Sequence, residues 1–214
     1  DRAVGSVLDY LEENGLSDNT IVVYTSDQGF YLGEHGWFDK RWMYEESFKM
    51  PFLIKHPRII EAGTTTDAMV MNVDFAPTLI DMAGLQIPTE MQGESFKGAF
   101  EGDENKNRKS VYYHYYEWPI WHKVQPHYGI KTDRYKLMHF YYSMDEWELY
   151  DLETDPNEMN NIYSEAPVDL IENLKYELNE LRKKYKDDGS IEEMRQMTDT
   201  VIMRVYNEPN KIMK

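Results

Sequence analysis

The sequence predicts an α/β domain followed by a small α+β subdomain, and three observations support this expectation. A helical pattern at residues 1–14 precedes an apolar run at 21–24, and together they make half of a βαβ unit. Residues 86–108 are polar, contain Pro and Gly, and end in a charged run, which is typical of a domain boundary. Beyond that segment, four short runs rich in aromatic residues precede a long helical pattern, which indicates an antiparallel sheet packed on a helix.

The first part of the chain contains alternating helical and extended patterns. The run at 21–24 is apolar and β-branched, which predicts a buried strand of a parallel sheet. Residues 51–55 form a second short strand whose two faces are apolar, so burial is expected there as well. Residues 75–83 suit a short amphipathic helix with Asp74 as its N-cap. These patterns place the first domain at residues 1–105.

The second part, residues 106–186, is predicted to be the α+β subdomain. Its strands are expected at residues 110–117, 128–132, 135–141 and 146–151. Leucines at helical spacing predict an amphipathic helix at 167–185 that covers one face of the sheet. A second short helix is expected from residue 191 to about residue 206. The tail at 187–214 has no role that its pattern indicates.

Composition excludes several classes of function. The chain has 214 residues, a formal net charge of −16 and no basic patch, so nucleic acid is not expected as a partner. It contains no cysteine, so no disulfide framework is possible. No apolar run approaches the ~18 residues that a membrane-spanning helix needs, and no membrane partner is expected from these residues.

Chemically useful residues follow the first predicted strand. Asp27 and Gln28 stand where that strand ends, and ligands bind beyond the carboxyl ends of strands in open α/β sheets. A carboxylate beside an amide oxygen offers two hard oxygen ligands of the type that Ca²⁺ and Mg²⁺ prefer. His35 and Lys40 follow on the same glycine-containing loop. The sequence therefore predicts a metal and anion site on this loop.

Four short sequence motifs, taken in chain order, resemble the C-terminal metal-and-sulfate segment of the type I sulfatases, in the alkaline-phosphatase-like superfamily. They are Ser26-Asp27-Gln28-Gly29, Gly33-Glu34-His35-Gly36, Lys40 itself, and Met50-Pro51-Phe52-Leu53. The sequence at residues 37–47 is similar to that of the N-acetylglucosamine-6-sulfatase and mucin-desulfating branch. The resemblance implies that residues 1–105 are the C-terminal part of the sulfatase sheet.

The resemblance also implies roles for particular residues. Asp27 and Gln28 correspond to the family's Ca²⁺ ligands, and Ca²⁺ is therefore the expected metal cofactor. Lys40 corresponds to the lysine that contacts the sulfate ester, and it is the expected catalytic residue. His35 has two open roles, a substrate contact or a hydrogen bond within the loop. Glu34 and Arg41 are expected to be structural or supporting residues.

The second subdomain borders the sugar pocket in the branch that this sequence resembles. His127, just before the second strand of that subdomain, is therefore a candidate sugar contact, against the alternative of a histidine at a sheet edge. His114 and His122 are weaker candidates. Aromatic side chains suit stacking on a sugar face, although such residues more often pack in a core. The candidates for stacking are Tyr116, Trp118 and Trp121.

Part of the expected active site is not in this sequence. The family uses a formylglycine nucleophile made from Cys or Ser in a C/S-x-P-x-R motif, and these residues contain no such motif. The chain also begins without methionine, inside a predicted helix. We therefore expect a fragment that lacks the N-terminal half of the same polypeptide and is inactive alone. The family resemblance implies a periplasmic or secreted protein.

Three functions are compatible with these observations. The first is a sulfuric ester hydrolase acting on a sulfated carbohydrate, with 6-sulfated N-acetylglucosamine in mucin or glycosaminoglycan as the expected unit. The second is a phosphodiesterase or phosphonate hydrolase of the same superfamily, which usually holds two metals through a histidine where this chain has Gln28. The third is a non-enzymatic carbohydrate-binding fragment.

Overall fold

The computed structural model describes residues 1–100, 102, 108–118 and 122–207. Contacts divide the chain into two compact units, and each is described separately here. The first unit contains residues 1–27 and 50–108, and the second contains residues 28–49 and 109–214. The predicted boundary between residues 105 and 106 lies outside the described residues, and so do Trp121 and the last part of the tail, 208–214. The grouping of 28–49 with the C-terminal residues was not expected.

The elements are named in chain order. Those of the first unit are α1 (Arg2–Glu13), β1 (Val22–Thr25), β2 (Phe52–Lys55), α3 (Phe75–Met82) and α4 (Lys97–Phe100), and those of the second are α2 (Glu45–Phe48), β3 (Ser110–Tyr115), β4 (His127–Thr132), β5 (Tyr135–Phe140), β6 (Glu146–Asp151), α5 (Val168–Lys184) and α6 (Ile191–Asn207). Short 3₁₀ turns lie at Ser17–Asn19, Glu34–Gly36 and Asn72–Asp74. No helix in the described ranges is long and apolar enough to cross a bilayer.

The pairing of β1 and β2 differs from the expectation. The two strands run antiparallel, with Val23 opposite Ile54. The expected burial is also wrong for part of this pair, because Tyr24 is 48% exposed and Leu53 is 66% exposed. A short apolar run does not distinguish a parallel from an antiparallel strand, nor does it show whether a second layer covers it.

Asp74 organises the end of the first unit. Its carboxylate, 1% exposed, accepts hydrogen bonds from the backbone N–H of Met71 and of Glu94, both at 2.8 Å, and it also binds the guanidinium of Arg108. Helix α3 begins where the sequence predicted. The Asp74 side chain, however, caps the preceding 3₁₀ turn and makes no capping bond to α3.

The second unit is built on a four-stranded antiparallel sheet in the order β3-β4-β5-β6. The predicted strands are confirmed close to their expected bounds, and so is the long helix α5. One face of the sheet packs on α5 and α6 through a cluster of buried side chains, since alternate strand residues point to the same face. The cluster contains Tyr128, Ile130, Leu137, Tyr141, Leu149, Leu174, Leu178 and Met194.

The other face of the sheet is covered by residues 28–49, the segment that carries Lys40. Met43 and Tyr44 pack there with Met138 and Phe140 in a second buried cluster. Gly129 makes this close packing possible, because a Cβ at that position would lie 2.7 Å from the Met43 sulfur and 2.3 Å from the carbonyl of Leu137. The antiparallel sheet therefore serves as the support on which the predicted functional loop lies.

Candidate functional site

Gln28 and Lys40 are brought together in the second unit. The Gln28 amide nitrogen donates to the carbonyl oxygen of Lys40 and lies 2.9 Å from Ser47 Oγ. Ser47 Oγ in turn donates to the same carbonyl at 2.9 Å. The Lys40 carbonyl thus accepts two hydrogen bonds, which fix its peptide plane. Two residues that the resemblance assigned to metal and sulfate share one local network.

The turn after Gln28 is tight against α2. The backbone N–H of Gly29 donates to the carbonyl of Ser47 at 2.8 Å. A Cβ on Gly29 would lie 2.0 Å from the carbonyl oxygen of Glu46, so only glycine fits this approach. The closeness of these two backbones explains why a glycine must follow Gln28.

The peptide after Lys40 is held from the sheet. Tyr113, on β3, donates its hydroxyl to the carbonyl oxygen of Arg41 at 2.8 Å. The backbone N–H of Lys40 itself lies 2.8 Å from the carboxylate of Asp39, which also binds the guanidinium of Arg41. The main chain on both sides of the Lys40 side chain is therefore fixed by side-chain hydrogen bonds.

A buried charge network joins the loop to the sheet below it. Lys136 Nζ lies 2.8 Å from a carboxylate oxygen of Glu45 and 2.7 Å from one of Glu158. Glu158 also accepts a hydrogen bond from the backbone N–H of Glu45 at 2.6 Å. Burial raises the pKa of Glu45, but Lys136 and Lys131 outweigh it and hold that pKa at about 2. Glu45 is therefore ionised at neutral pH and anchors the end of the loop.

Sequence reasoning missed this network and Tyr113. The sequence did contain one indication of the network, because Lys136 lies on the same face of β5 as the apolar residues Met138 and Phe140. A lysine at an inward-facing strand position must find a partner, since an isolated buried charge is costly. The partners themselves, far away in sequence, are not indicated by any local pattern.

His35 lies within the loop that carries Lys40. Its backbone has φ of 52°, its ring stacks on Tyr44 with centroids 4.4 Å apart, and its Nε2 lies 3.4 Å from Glu46. It also lines a cavity of about 350 Å³, together with Tyr31, Trp37, Trp42, Tyr44 and Met159. The contacts within the loop are thus present, and the substrate contact stays a prediction.

His127 lies in the interior of the second unit. The side chain is fully buried, and its ring is near those of Trp42 and Phe140, with centroids 5.9 Å and 5.0 Å away. Because Gln125 offers a carbonyl at 2.8 Å, Nδ1 must be the donor. Burial lowers the pKa of His127 to about 4, so the ring is neutral. His127 thus packs inside the unit among aromatic rings, and its role as a sugar contact stays a prediction.

The weaker candidates also have partners in the second unit. His114 Nδ1 lies 2.6 Å from Asp187, whose carboxylate accepts hydrogen bonds from Tyr112 and Tyr116 as well. His122 Nδ1 lies 2.8 Å from Asp39. These contacts connect the histidines and Tyr116 to carboxylates, which accounts for their positions without a substrate.

Asp27 belongs to the first unit, whereas Gln28 belongs to the second. The Asp27 side chain is exposed, Ser26 Oγ lies 3.3 Å from its carboxylate, and Asn72 donates to its carbonyl at 3.1 Å. In the ranges that the structure describes, no group of three or more His, Cys, Asp and Glu is arranged to hold a metal ion. The pairing of Asp27 with Gln28 as metal ligands stays a prediction.

A curated protein and a solved structure are each more than half identical to this chain. The N-acetylglucosamine-6-O-sulfatase of Bacteroides thetaiotaomicron is 53% identical over 193 residues, which are 88% of this chain and 34% of that protein. The solved structure of BT4656 in complex with its substrate D-glucosamine-2-N,6-O-disulfate is 52% identical and covers 88% of this chain and 39% of that one, with a TM-score of 0.84.

More distant relatives define the limits of the comparison. Arylsulfatase K of Xenopus laevis is 33% identical over 78% of this chain and 32% of its own length. The phosphonate monoester hydrolase of Agrobacterium radiobacter is 24% identical, covers 84% of this chain and 38% of its own and has a TM-score of 0.72, which shows a shared fold alone. The chain thus spans about a third of the curated relatives that it matches.

The family and fold expectations are confirmed. The antiparallel sheet with its covering helix is the architecture that the sulfatase neighbours share with this chain. The resemblance to the N-acetylglucosamine-6-sulfatase branch agrees with the 53% identical relative. The family described as N-sulphoglucosamine sulphohydrolase, C-terminal, matches residues 33–184, which is more than half of the sequence, and the chain belongs to that family.

Proposed function

We propose that the protein carrying this chain hydrolyses a sulfate ester of a sulfated glycan, with a 6-sulfated N-acetylglucosamine unit in mucin or glycosaminoglycan as substrate. The observation that carries the proposal is that the main-chain carbonyl of Lys40 accepts two hydrogen bonds, from Gln28 and from Ser47. These bonds hold a cationic residue on a preorganised loop. The comparisons support it, because a similar curated protein is named for 6-O-desulfation of N-acetylglucosamine and a similar structure was solved with D-glucosamine-2-N,6-O-disulfate.

Lys40 supplies positive charge in this proposal. A sulfate ester carries one negative charge, and the sulfate and leaving oxygens gain charge in the transition state. An ammonium held in place stabilises that charge without reorganisation at the moment of reaction. The chain is acidic overall, with a net charge of −16, so the cations that meet an anionic glycan must be concentrated locally. Lys40 and Arg41 provide this concentration on one loop.

Ca²⁺ is the cofactor that we propose for the same site, with Asp27 and Gln28 among its ligands. The Gln28 amide fits this role, because its nitrogen donates toward Lys40 and Ser47 and its oxygen is therefore on the opposite side of the amide group. A carboxylate and an amide oxygen are hard ligands of the kind that Ca²⁺ takes. When bound, the ion polarises the sulfate oxygens. Ca²⁺ takes ~6–8 ligands, so residues outside this chain complete the site in our proposal.

The nucleophile also comes from outside these residues in this proposal. The sequence contains no cysteine and no C/S-x-P-x-R motif from which a formylglycine is made. The chain then contributes charge, metal ligands and the loop that holds them, and it is inactive alone. The phosphonate hydrolase alternative rests on a neighbour that shows the fold only, and no observation favours it.

The test is turnover of N-acetylglucosamine 6-sulfate by the full-length protein and by its Lys40→Ala variant. Removing one preorganised charge stabiliser typically lowers the rate by about 10²–10³. The melting temperature should change little, because Lys40 is only half-buried and belongs to neither buried cluster, so its truncation leaves no core cavity. Lys55→Ala, at an exposed lysine of the first unit, is the control and should leave turnover unchanged. A full-length protein that cleaves a phosphonate ester and no sulfate ester would refute the proposal.

A further inference from the structure

Tyr113 reaches across from the sheet to the loop that carries Lys40. Its hydroxyl donates to the carbonyl oxygen of Arg41 at 2.8 Å, although the two residues are 72 positions apart in sequence. That carbonyl belongs to the residue directly after Lys40. Gln28 and Ser47, by contrast, belong to the loop itself. Tyr113 is thus the side chain by which strand β3 holds the main chain beside Lys40.

The Tyr113 ring is itself fixed in place. It packs edge-on against Phe48, with centroids 5.1 Å apart, and in a tilted arrangement against His127, with centroids 5.7 Å apart. Its cross-strand partner is Gly129, whose lack of a side chain lets Met43 pack onto the sheet. Ring and loop are therefore aligned by packing, and the hydroxyl needs no rearrangement to donate.

The hydroxyl is a permanent donor at this position. Burial raises the pKa of Tyr113, with a smaller opposing effect from Arg41, so the phenol is protonated at neutral pH. A half-buried carbonyl that loses its donor must find water or another partner, and the loop must move to do so. The contact therefore controls where the Lys40–Arg41 peptide lies.

We propose that Tyr113 is a positioning residue for Lys40. The proposal rests on the function proposed above, and it assigns to β3 the task of holding the cationic loop in the geometry that the sulfate group requires. Tyr113 acts through the Arg41 carbonyl and touches no reacting atom. Displacements of about 1 Å in a positioned group lower rates by up to about 10²-fold, so the loss of this contact has measurable consequences.

The experiment compares Tyr113→Phe with Tyr112→Phe in the full-length protein. Both changes remove one phenol hydroxyl from neighbouring positions of β3 and keep the ring. Tyr112 is the matched control, because its hydroxyl donates to Asp187 and not to the loop. We expect Tyr113→Phe to speed amide hydrogen exchange at residues 39–44 and to lower kcat/KM about tenfold. Tyr112→Phe should change neither.

A double-mutant cycle separates positioning from general destabilisation. If Tyr113 acts through Lys40, then adding Tyr113→Phe to the Lys40→Ala variant should lower kcat/KM by less than about twofold further. If the two substitutions lower kcat/KM additively, the proposal is overturned. It is also overturned if Tyr113→Phe leaves amide hydrogen exchange at residues 39–44 equal to that of the unchanged protein. If the unchanged protein cleaves no sulfate ester, the proposed function fails, and the exchange measurement alone decides whether Tyr113 holds the loop.

Discussion

Lys136 and Glu158 form an ion pair whose nitrogen and oxygen are 2.7 Å apart and whose side chains are both fully buried. Lys136 is on β5, and Glu158 lies in a turn after β6 with φ of 52°. Glu45, at the start of α2, shares the lysine at 2.8 Å. The pair therefore connects two parts of the C-terminal sheet region to the loop that carries Lys40.

Replacing Lys136 should destabilise the second unit strongly. Lys136→Met keeps most of the side-chain volume but leaves Glu158 buried without a cation, whereas Glu45 keeps Lys131 and Lys49 as partners. Breaking a buried pair from one side costs about 3–5 kcal/mol. Urea denaturation followed by circular dichroism measures the loss of unfolding free energy.

The control for this change is an exposed ion pair. Lys183, 62% exposed, pairs with Glu180 one helical turn earlier on α5, and Lys183→Met should leave the midpoint of unfolding almost unchanged. Equal effects of the two substitutions would contradict the role assigned to Lys136. A triple change of Lys136, Glu45 and Glu158 to apolar residues should recover much of the stability.

His127 should make stability depend on pH in a defined window. Its folded pKa of about 4 lies below the ordinary value of about 6.5, because burial disfavours the charged ring. The unfolded chain therefore binds the proton first, and stability falls as pH decreases from about 6.5 to about 4. The loss of unfolding free energy amounts to about 3 kcal/mol, because one unit of pKa corresponds to about 1.36 kcal/mol.

Chemical denaturation of the unchanged protein and of His127→Phe across that pH range checks this. The variant is expected to show a shallower decline, since phenylalanine does not titrate. A decline of the same steepness in both proteins would mean that His127 is not buried neutral. Burial also lowers the pKa of His114 and of His139, so the difference between the two proteins, not the total slope, isolates His127.

The C-terminal subdomain could be predicted from the sequence because its patterns are local. Strand β6 coincides with a run of alternating polar and apolar residues, and α5 contains leucines at helical spacing. Each element was therefore predicted close to its observed bounds. Helix α6 was also expected, and Met194 shows that it contributes to the core. The correct fold class follows from these elements.

The arrangement of the site could be predicted only in part. The sequence motifs around Gln28 and Lys40 singled out the segment at residues 28–49, but nothing local indicated that Tyr113 and Lys136 contact it. Contacts between positions so far apart depend on tertiary packing, which periodicity does not encode. The same limit explains why the sequence did not indicate that aromatic rings enclose His127.

The proposed Ca²⁺ role of Asp27 leads to a binding prediction. In the full-length protein, Asp27→Ala should weaken Ca²⁺ binding at least tenfold, because it removes the charged member of the ligand pair while Gln28 contributes only a dipole. Isothermal titration calorimetry on metal-free protein measures this change. The 214-residue chain alone should bind Ca²⁺ poorly, because two oxygen ligands fall short of the ~6–8 that the ion takes.

Asp67→Ala is the matched control for the binding experiment. Asp67 is also exposed and also belongs to the first unit, but no motif assigns it to a metal. Its replacement removes the same charge and should leave the affinity nearly unchanged, apart from a weak long-range effect that added salt screens. If the two variants lose affinity equally, the effect comes from net charge and Asp27 is not a ligand. Tight stoichiometric binding by the isolated chain would place the remaining ligands within these residues.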